Sequence, residues 1–212
     1  MSGPDVFALV ADHRRRAVAL FEGLDAAQWA APSLCAGWTV RDVAGHLVVP
    51  FEVSAPSLLL EVVRQRGSFD RAMDRVSRRV AQRPTAELIE VLRAHTGSRF
   101  TPPGQGPEAP LADLSIHLHD VARPLGLDLT LPPTSWRLVL DYFMSTRSRR
   151  AFVPAARLAG LSFTTTDQRW SAGAGQEVRG TSAAVALALA GRTAVLDELD
   201  GRGLDRLRAR LS

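Results

Sequence analysis

The sequence predicts a mainly α protein: a helical bundle over residues 1–150, followed by a small α+β domain over residues 151–212. Three observations lead there. As far as about Pro154, apolar residues recur at three- and four-residue steps, the period of a helix with one buried face. Beyond it, the run Leu161, Ser162, Phe163, Thr164, Thr165, Thr166 alternates with period two, as a half-buried strand does. The chain has 212 residues, 46% hydrophobic and 23% charged, so there is apolar material for a core without a disulfide scaffold.

The bundle elements follow in order. Residues 5–24 form a first helix striped by Val6, Leu9, Val10, Ala17, Leu20 and Phe21. His13 falls near that stripe and is read as a packed, hydrogen-bonded residue. Residues 25–38 are a connector broken by Pro32 and Gly37 and anchored by Trp29 and Trp38. Cys35 lies in it with no base nearby in sequence, and is read as a small buried filler rather than a nucleophile. Thr39 caps a second helix with Val40, Val43, Ala44, Leu47 and Val48 on its apolar side. His46 lies with Val43 and Pro50 at helical spacing, toward the interior, and Gly45 lets something approach closely. Pro50 and Pro56 are expected to kink or interrupt this run.

Two further helical pieces span 69–81 and 85–100, separated at Pro84 and with Thr85 as the second N-cap. His95 stands where that helix is ending and is not taken as a ligand. A Pro/Gly loop over 101–110 leads into a helix over about 110–125, striped by Leu111, Leu114, Leu118, Val121, Ala122 and Leu125. Thr134 or Ser135 caps the next helix, through Trp136, Leu140, Phe143 and Met144.

After the strand at 161–166, residues 167–169 make a turn and Gln176–Arg179 a second strand. Thr181 or Ser182 caps an apolar helix over 183–190, which Gly191 ends. A short amphipathic stretch over 194–211 closes the chain.

Charge excludes less than it first suggests. The net charge is +4 and the isoelectric point near 10.7, with 26 basic residues that are all arginine. The arginines are scattered, clustering only at 14–16, 78–79 and 147–150, which reads as solvated helix faces. No aromatic residues interleave with them as a base-stacking surface requires. A nucleic-acid role therefore rests on the isoelectric point alone and ranks last. The N-terminal stretch has no apolar signal core and no run reaches membrane-spanning length, so no membrane partner is expected. One cysteine fits a reducing cytoplasm.

The chemistry gathers on the helix over 110–125. Asp113 and His117 are four residues apart and lie one above the other on one helix face. Asp120 falls just beyond, and His119 points roughly the other way. With His46 from the second helix they make a carboxylate and two imidazoles, a donor set suited to zinc or another first-row divalent ion. Three protein ligands leave a position open, as catalytic metal sites do. The alternative is an ordinary surface ion pair between Asp113 and His117, and His46 is what tips the choice toward a metal.

These stretches resemble a known family. Residues 33–47, SLCAGWTVRDVAGHL, look like the first signature of the mycothiol-dependent maleylpyruvate isomerases, within the wider DinB-like group of metal-binding four-helix bundles. Residues 113–126, DLSIHLHDVARPLG, match that family's metal helix, and 180–192, GTSAAVALALAGR, its C-terminal segment. The resemblance implies a DinB-like four-helix bundle with a small C-terminal α+β domain. It implies a divalent metal, usually zinc, on His46, Asp113 and His117, with mycothiol as the thiol cosubstrate. Two positions depart from the family. It more often has Glu in place of Asp113, and often Gly-Trp in place of Leu118-His119. Asp120 matches a recurrent position and is read as supporting a ligand or, preferably, packing the helix.

The implied activity is metal-dependent, mycothiol-dependent transfer or isomerisation of a small electrophile through a metal-activated thiolate. An arginine would suit a carboxylate on that substrate. Arg192 is the candidate, set against a plain charge at a helix C-terminus. The other functional reading is a non-catalytic bundle that binds a small molecule or a protein.

Overall fold

In the computed structural model, which describes residues 5–150 and 152–211, the chain is mainly helical with a small three-stranded sheet near its C-terminus. It divides into two compact units, one of residues 1–100 and 117–129, the other of 101–116 and 130–212.

In the first unit, α1 (Val6–Glu22) starts at Asp5, whose carboxylate accepts from the amides of Phe7 and Ala8. Its buried residues Val10, His13, Arg14, Ala17, Val18 and Phe21 fall on one face, so His13 packs inward as its spacing suggested, but neither of its ring nitrogens has, among the described residues, the hydrogen-bond partner expected of it. A short α2 (Ala26–Ala30) interrupts the expected connector. It is held by a reciprocal cap between Asp25 and Gln28, and its Trp29 stacks on Phe21 with ring centroids 5.2 Å apart.

Next comes α3 (Val40–Glu52), with Thr39 and Asp42 forming its cap. Pro50 does not end it. The helix runs two residues further, and Ser54 then caps α4 (Ala55–Arg64), where Pro56 sits in the first turn and its missing N–H costs no bond. The sequence pattern hid α4 because its polarity is inverted. Glu61 is buried and paired with Arg75 at 3.3 Å, while Leu59, Leu60 and Val63 face outward.

The fourth and fifth long elements are α5 (Phe69–Val80), capped by Ser68, and α6 (Thr85–Ala94). The expectation that Thr85 is an N-cap is corrected: Pro84 holds that position and Thr85 is the first helical residue. The helix also stops at Ala94 rather than near residue 100. His95 ends it, its Nδ1 at 2.8 Å from the Val91 carbonyl and its ring stacked on Phe51. Within the unit α3 packs chiefly on α5 and also on α6, and α1 packs on α6.

The approach of α3 to α5 is made possible by a glycine. A Cβ built on Gly45 would lie 2.6 Å from the Ser77 carbonyl oxygen and 2.8 Å from the Ala81 Cβ, so only glycine lets α3 and α5 come this near. The residue expected to admit a close neighbour admits α5.

The helix α7 (Glu108–Ala122) runs unbroken from the residues of the second unit into those of the first. From Leu111 to Ala122 every residue is buried except Asp113, which is half-buried. One apolar stripe is too narrow a description: over 111–122 α7 is enclosed all round, and His119, which the metal-capable cluster does not include, is as buried as His117.

The second unit contains α8 (Pro133–Met144), a 3-10 turn at Ser148–Arg150, and α9 (Ala155–Leu158). Pro132, not Thr134 or Ser135, occupies the N-cap of α8. The sheet follows, with β1 (Leu161–Thr165) in the middle, antiparallel to β2 (Ser171–Gly173) and parallel to β3 (Gln176–Gly180). Leu161, Phe163 and Val178 form its buried face. Thr181 then caps α10 (Ser182–Leu189), which is apolar and nearly wholly buried, and which packs on α8. Gly191, at φ +96°, ends that run, and a 3-10 turn (Thr193–Glu198) and α11 (Leu204–Arg208) complete the unit.

Candidate metal centre

Three side chains on α3 and α7 converge. Ligand atoms of His46, Asp113 and His117 all lie within 4.8 Å of one another, and the group is the metal-capable cluster found among the described residues. Helix pitch accounts for Asp113 and His117, one turn apart on α7. The packing of α3 brings in His46, whose ring centroid is 4.8 Å from that of His117 in an edge-on arrangement.

Each imidazole is held by its Nδ1. The Nδ1 of His117 lies 2.9 Å from Oδ2 of Asp120, which is fully buried one turn further along α7. The Nδ1 of His46 lies 3.2 Å from the Ser77 hydroxyl on α5. An ionised carboxylate can only accept, so Asp120 favours the proton on Nδ1 of His117, whereas the Ser77 hydroxyl can donate to or accept from His46. Two imidazoles and a carboxylate at this separation fit zinc or a similar divalent ion. Asp120 thus touches a candidate ligand directly, whereas the sequence favoured simple packing for it.

Trp38 covers both rings. Its ring is 5.3 Å from His46, and it stacks on His117 at 6.2 Å with 15° between the planes. The indole N–H donates to Oδ1 of Asp74 at 2.7 Å. Arg78 donates to the same carboxylate oxygen at 2.9 Å and to the Gly37 carbonyl at 2.6 Å, tying the segment before α3 to α5. Sequence reasoning gave Trp38 only an anchoring role and did not single out Ser77 or Asp74. No local spacing joins residues more than thirty positions apart.

His119 and His13 have a different character. Burial pushes each imidazole down to about 4, so both are neutral at pH 7. For His119 the Arg123 guanidinium adds to the effect and Asp120 opposes it; for His13 the Asp12 carboxylate opposes it. Arg123 Nε donates to His119 Nδ1 at 3.4 Å. Cys35, expected to be buried, is half-buried. Arg192 follows α10, with Nη1 donating to the Ala190 carbonyl at 2.8 Å. Among the described residues no helix is long and apolar enough to cross a membrane.

A helical bundle carrying a two-histidine, one-carboxylate cluster is the class that the fold and the site define. The chain belongs to the family described as the mycothiol maleylpyruvate isomerase N-terminal domain, whose model matches residues 10–161. Two solved structures share the fold. One is a histidine-to-alanine mutant of a mycothiol-dependent maleylpyruvate isomerase, 15% identical, with a TM-score of 0.54. The other is the mycothiol-dependent maleylpyruvate isomerase without that mutation, 16% identical, with a TM-score of 0.51. Each alignment covers 93% of this chain and 92% of the other. No curated protein matches the chain.

Proposed function

We propose that this protein is a metal-dependent, mycothiol-dependent isomerase or S-transferase acting on a small electrophile. The observation that carries the proposal is the convergence of His46, Asp113 and His117 within 4.8 Å in a chain of this family. A bound divalent ion, zinc being the best match to these donors, would acidify the mycothiol sulfhydryl and so supply the thiolate that addition to an electrophilic carbon needs.

The chain's own residues do the holding. His46 and His117 present Nε2 atoms, and Asp113 presents a carboxylate from the turn before His117. Asp120 accepts the Nδ1 proton of His117, which keeps that ring in one tautomer and one orientation. Trp38 lies over both imidazoles and limits the access of water from its side. Arg192 is proposed as the planar, bidentate donor for a substrate carboxylate, which maleylpyruvate, the substrate of the structural neighbours, would carry. A reducing cytoplasm is the compartment that suits a free-thiol cosubstrate.

The test is metal analysis of the purified protein, followed by titration with mycothiol and turnover of maleylpyruvate. One equivalent of divalent metal and mycothiol-dependent conversion to the trans isomer are expected. Turnover of an epoxide or alkyl halide instead would make it the transferase. Metal bound without turnover of any such electrophile would mean a non-catalytic binding bundle, and absence of metal would overturn the site.

A further inference from the structure

The helix α5 contributes none of the three candidate ligands, yet two of its side chains reach the site. Asp74 and Ser77 are three residues apart and so share a face. Asp74 fixes the indole of Trp38, and Ser77 meets His46. Serine is a mediocre helix former in mid-helix, and a fully buried hydroxyl needs a partner. The partner here is the imidazole. The 3.2 Å separation depends on Gly45, the residue just before His46, because a side chain there would meet the Ser77 backbone and drive the two helices apart.

We infer that Ser77 is a positioning residue for the metal centre: its hydroxyl oxygen accepts the Nδ1 proton of His46 and so turns the Nε2 lone pair toward the cation. The inference rests on the metal reading proposed above and extends it to an element outside the ligand set. It gives the two histidines different supports. His117 is held by a carboxylate from its own helix, and His46 by a neutral hydroxyl from a neighbouring one. A neutral acceptor orients the ring without adding negative charge beside it.

The test is the tautomer of His46 in the metal-free full-length protein, read by nitrogen-15 NMR of the imidazoles at about pH 8, where an ordinary histidine is neutral. Loss of the signal in His46→Gln assigns it. The Nδ1–H tautomer is expected in the wild type. Ser77→Ala should shift the ring toward Nε2–H and weaken zinc binding by about 10- to 100-fold, measured by chelator competition. A wild-type His46 found as Nε2–H overturns the inference, and so does a Ser77→Ala protein with unchanged tautomer and unchanged zinc affinity. If Ser77→Ala does not fold, the wild-type tautomer still decides. If the wild type binds no zinc, the metal reading fails, while the tautomer continues to decide the role of Ser77.

Discussion

Asp120 and His117 are joined by a 2.9 Å contact between a fully buried carboxylate and the Nδ1 of a candidate ligand. An acidic partner on the far nitrogen of a metal-binding histidine both orients the ring and raises its electron density. Asp120→Ala should therefore weaken divalent metal binding by about 10- to 100-fold without removing any ligand. Chelator competition on the folded variant measures it, and wild-type affinity would reduce Asp120 to a packing residue.

The candidate ligands themselves should behave differently. His46→Ala and His117→Ala are each expected to abolish stoichiometric metal binding while the bundle stays folded. His46 is half-buried, and other side chains on α3 carry that helix's packing. Metal content and far-ultraviolet circular dichroism of the two variants check this together. Full retention of metal in either variant would defeat the assignment.

Gly45 sets the spacing of α3 and α5. An interior Gly→Ala change ordinarily stabilises a helix by about 0.5–1 kcal/mol. Here the added Cβ would meet backbone at 2.6 Å, an overlap that no rotamer relieves. Gly45→Ala should thus destabilise the protein, by about 1–3 kcal/mol as overpacked cores do. It should also lower metal affinity, since His46 and Ser77 would part. Chemical denaturation gives the first effect and metal titration the second. A stabilised variant would show that α3 and α5 can separate without penalty.

Stability should fall with acid through His13. This imidazole is fully buried, and burial holds it at about 4, below the usual value near 6.5. The Asp12 carboxylate at 3.9 Å raises it; Arg16 lowers it, and His119 is the other titratable group that interacts with it. A histidine depressed in the folded state takes up its proton more readily when unfolded. Its contribution is therefore complete above about pH 6.5 and is lost progressively as the pH falls toward 4. Thermal unfolding of metal-free protein across that window should show the loss, and His13→Leu should flatten it. Equal slopes in the two proteins would count against the buried neutral state.

Much of the site was legible because helix geometry is local. Asp113 and His117 announce themselves by their spacing, and His46 by standing in a helix with an apolar interior face. The sheet was legible as far as its strands alternate, and β2, only Ser171, Ala172 and Gly173, is too small to show alternation. Two features lay beyond any such pattern. The helix α4 buries a glutamate and exposes leucines, so binary patterning reads it inside out. The supports of the site, Ser77, Asp74 and Trp38, come from tertiary packing, which no spacing rule encodes. The burial of His119 has the same origin: a helical wheel assumes one wet face, and α7 has none over 111–122.

Pro50 gives α3, which carries His46, a further property. Lacking an N–H, it cannot supply the helical bond that residue 50 would send to the His46 carbonyl, and a proline in a helix interior costs about 3 kcal/mol. The turn that carries His46 thus lacks one bond of its backbone ladder and leans the more on its packing against α5 and α6. Metal retention would then become a gauge of local opening: a fluctuation that opens the His46 turn of α3 would loosen a bound ion while the rest of the helices stay folded, and amide exchange in that turn should slow when an ion is bound.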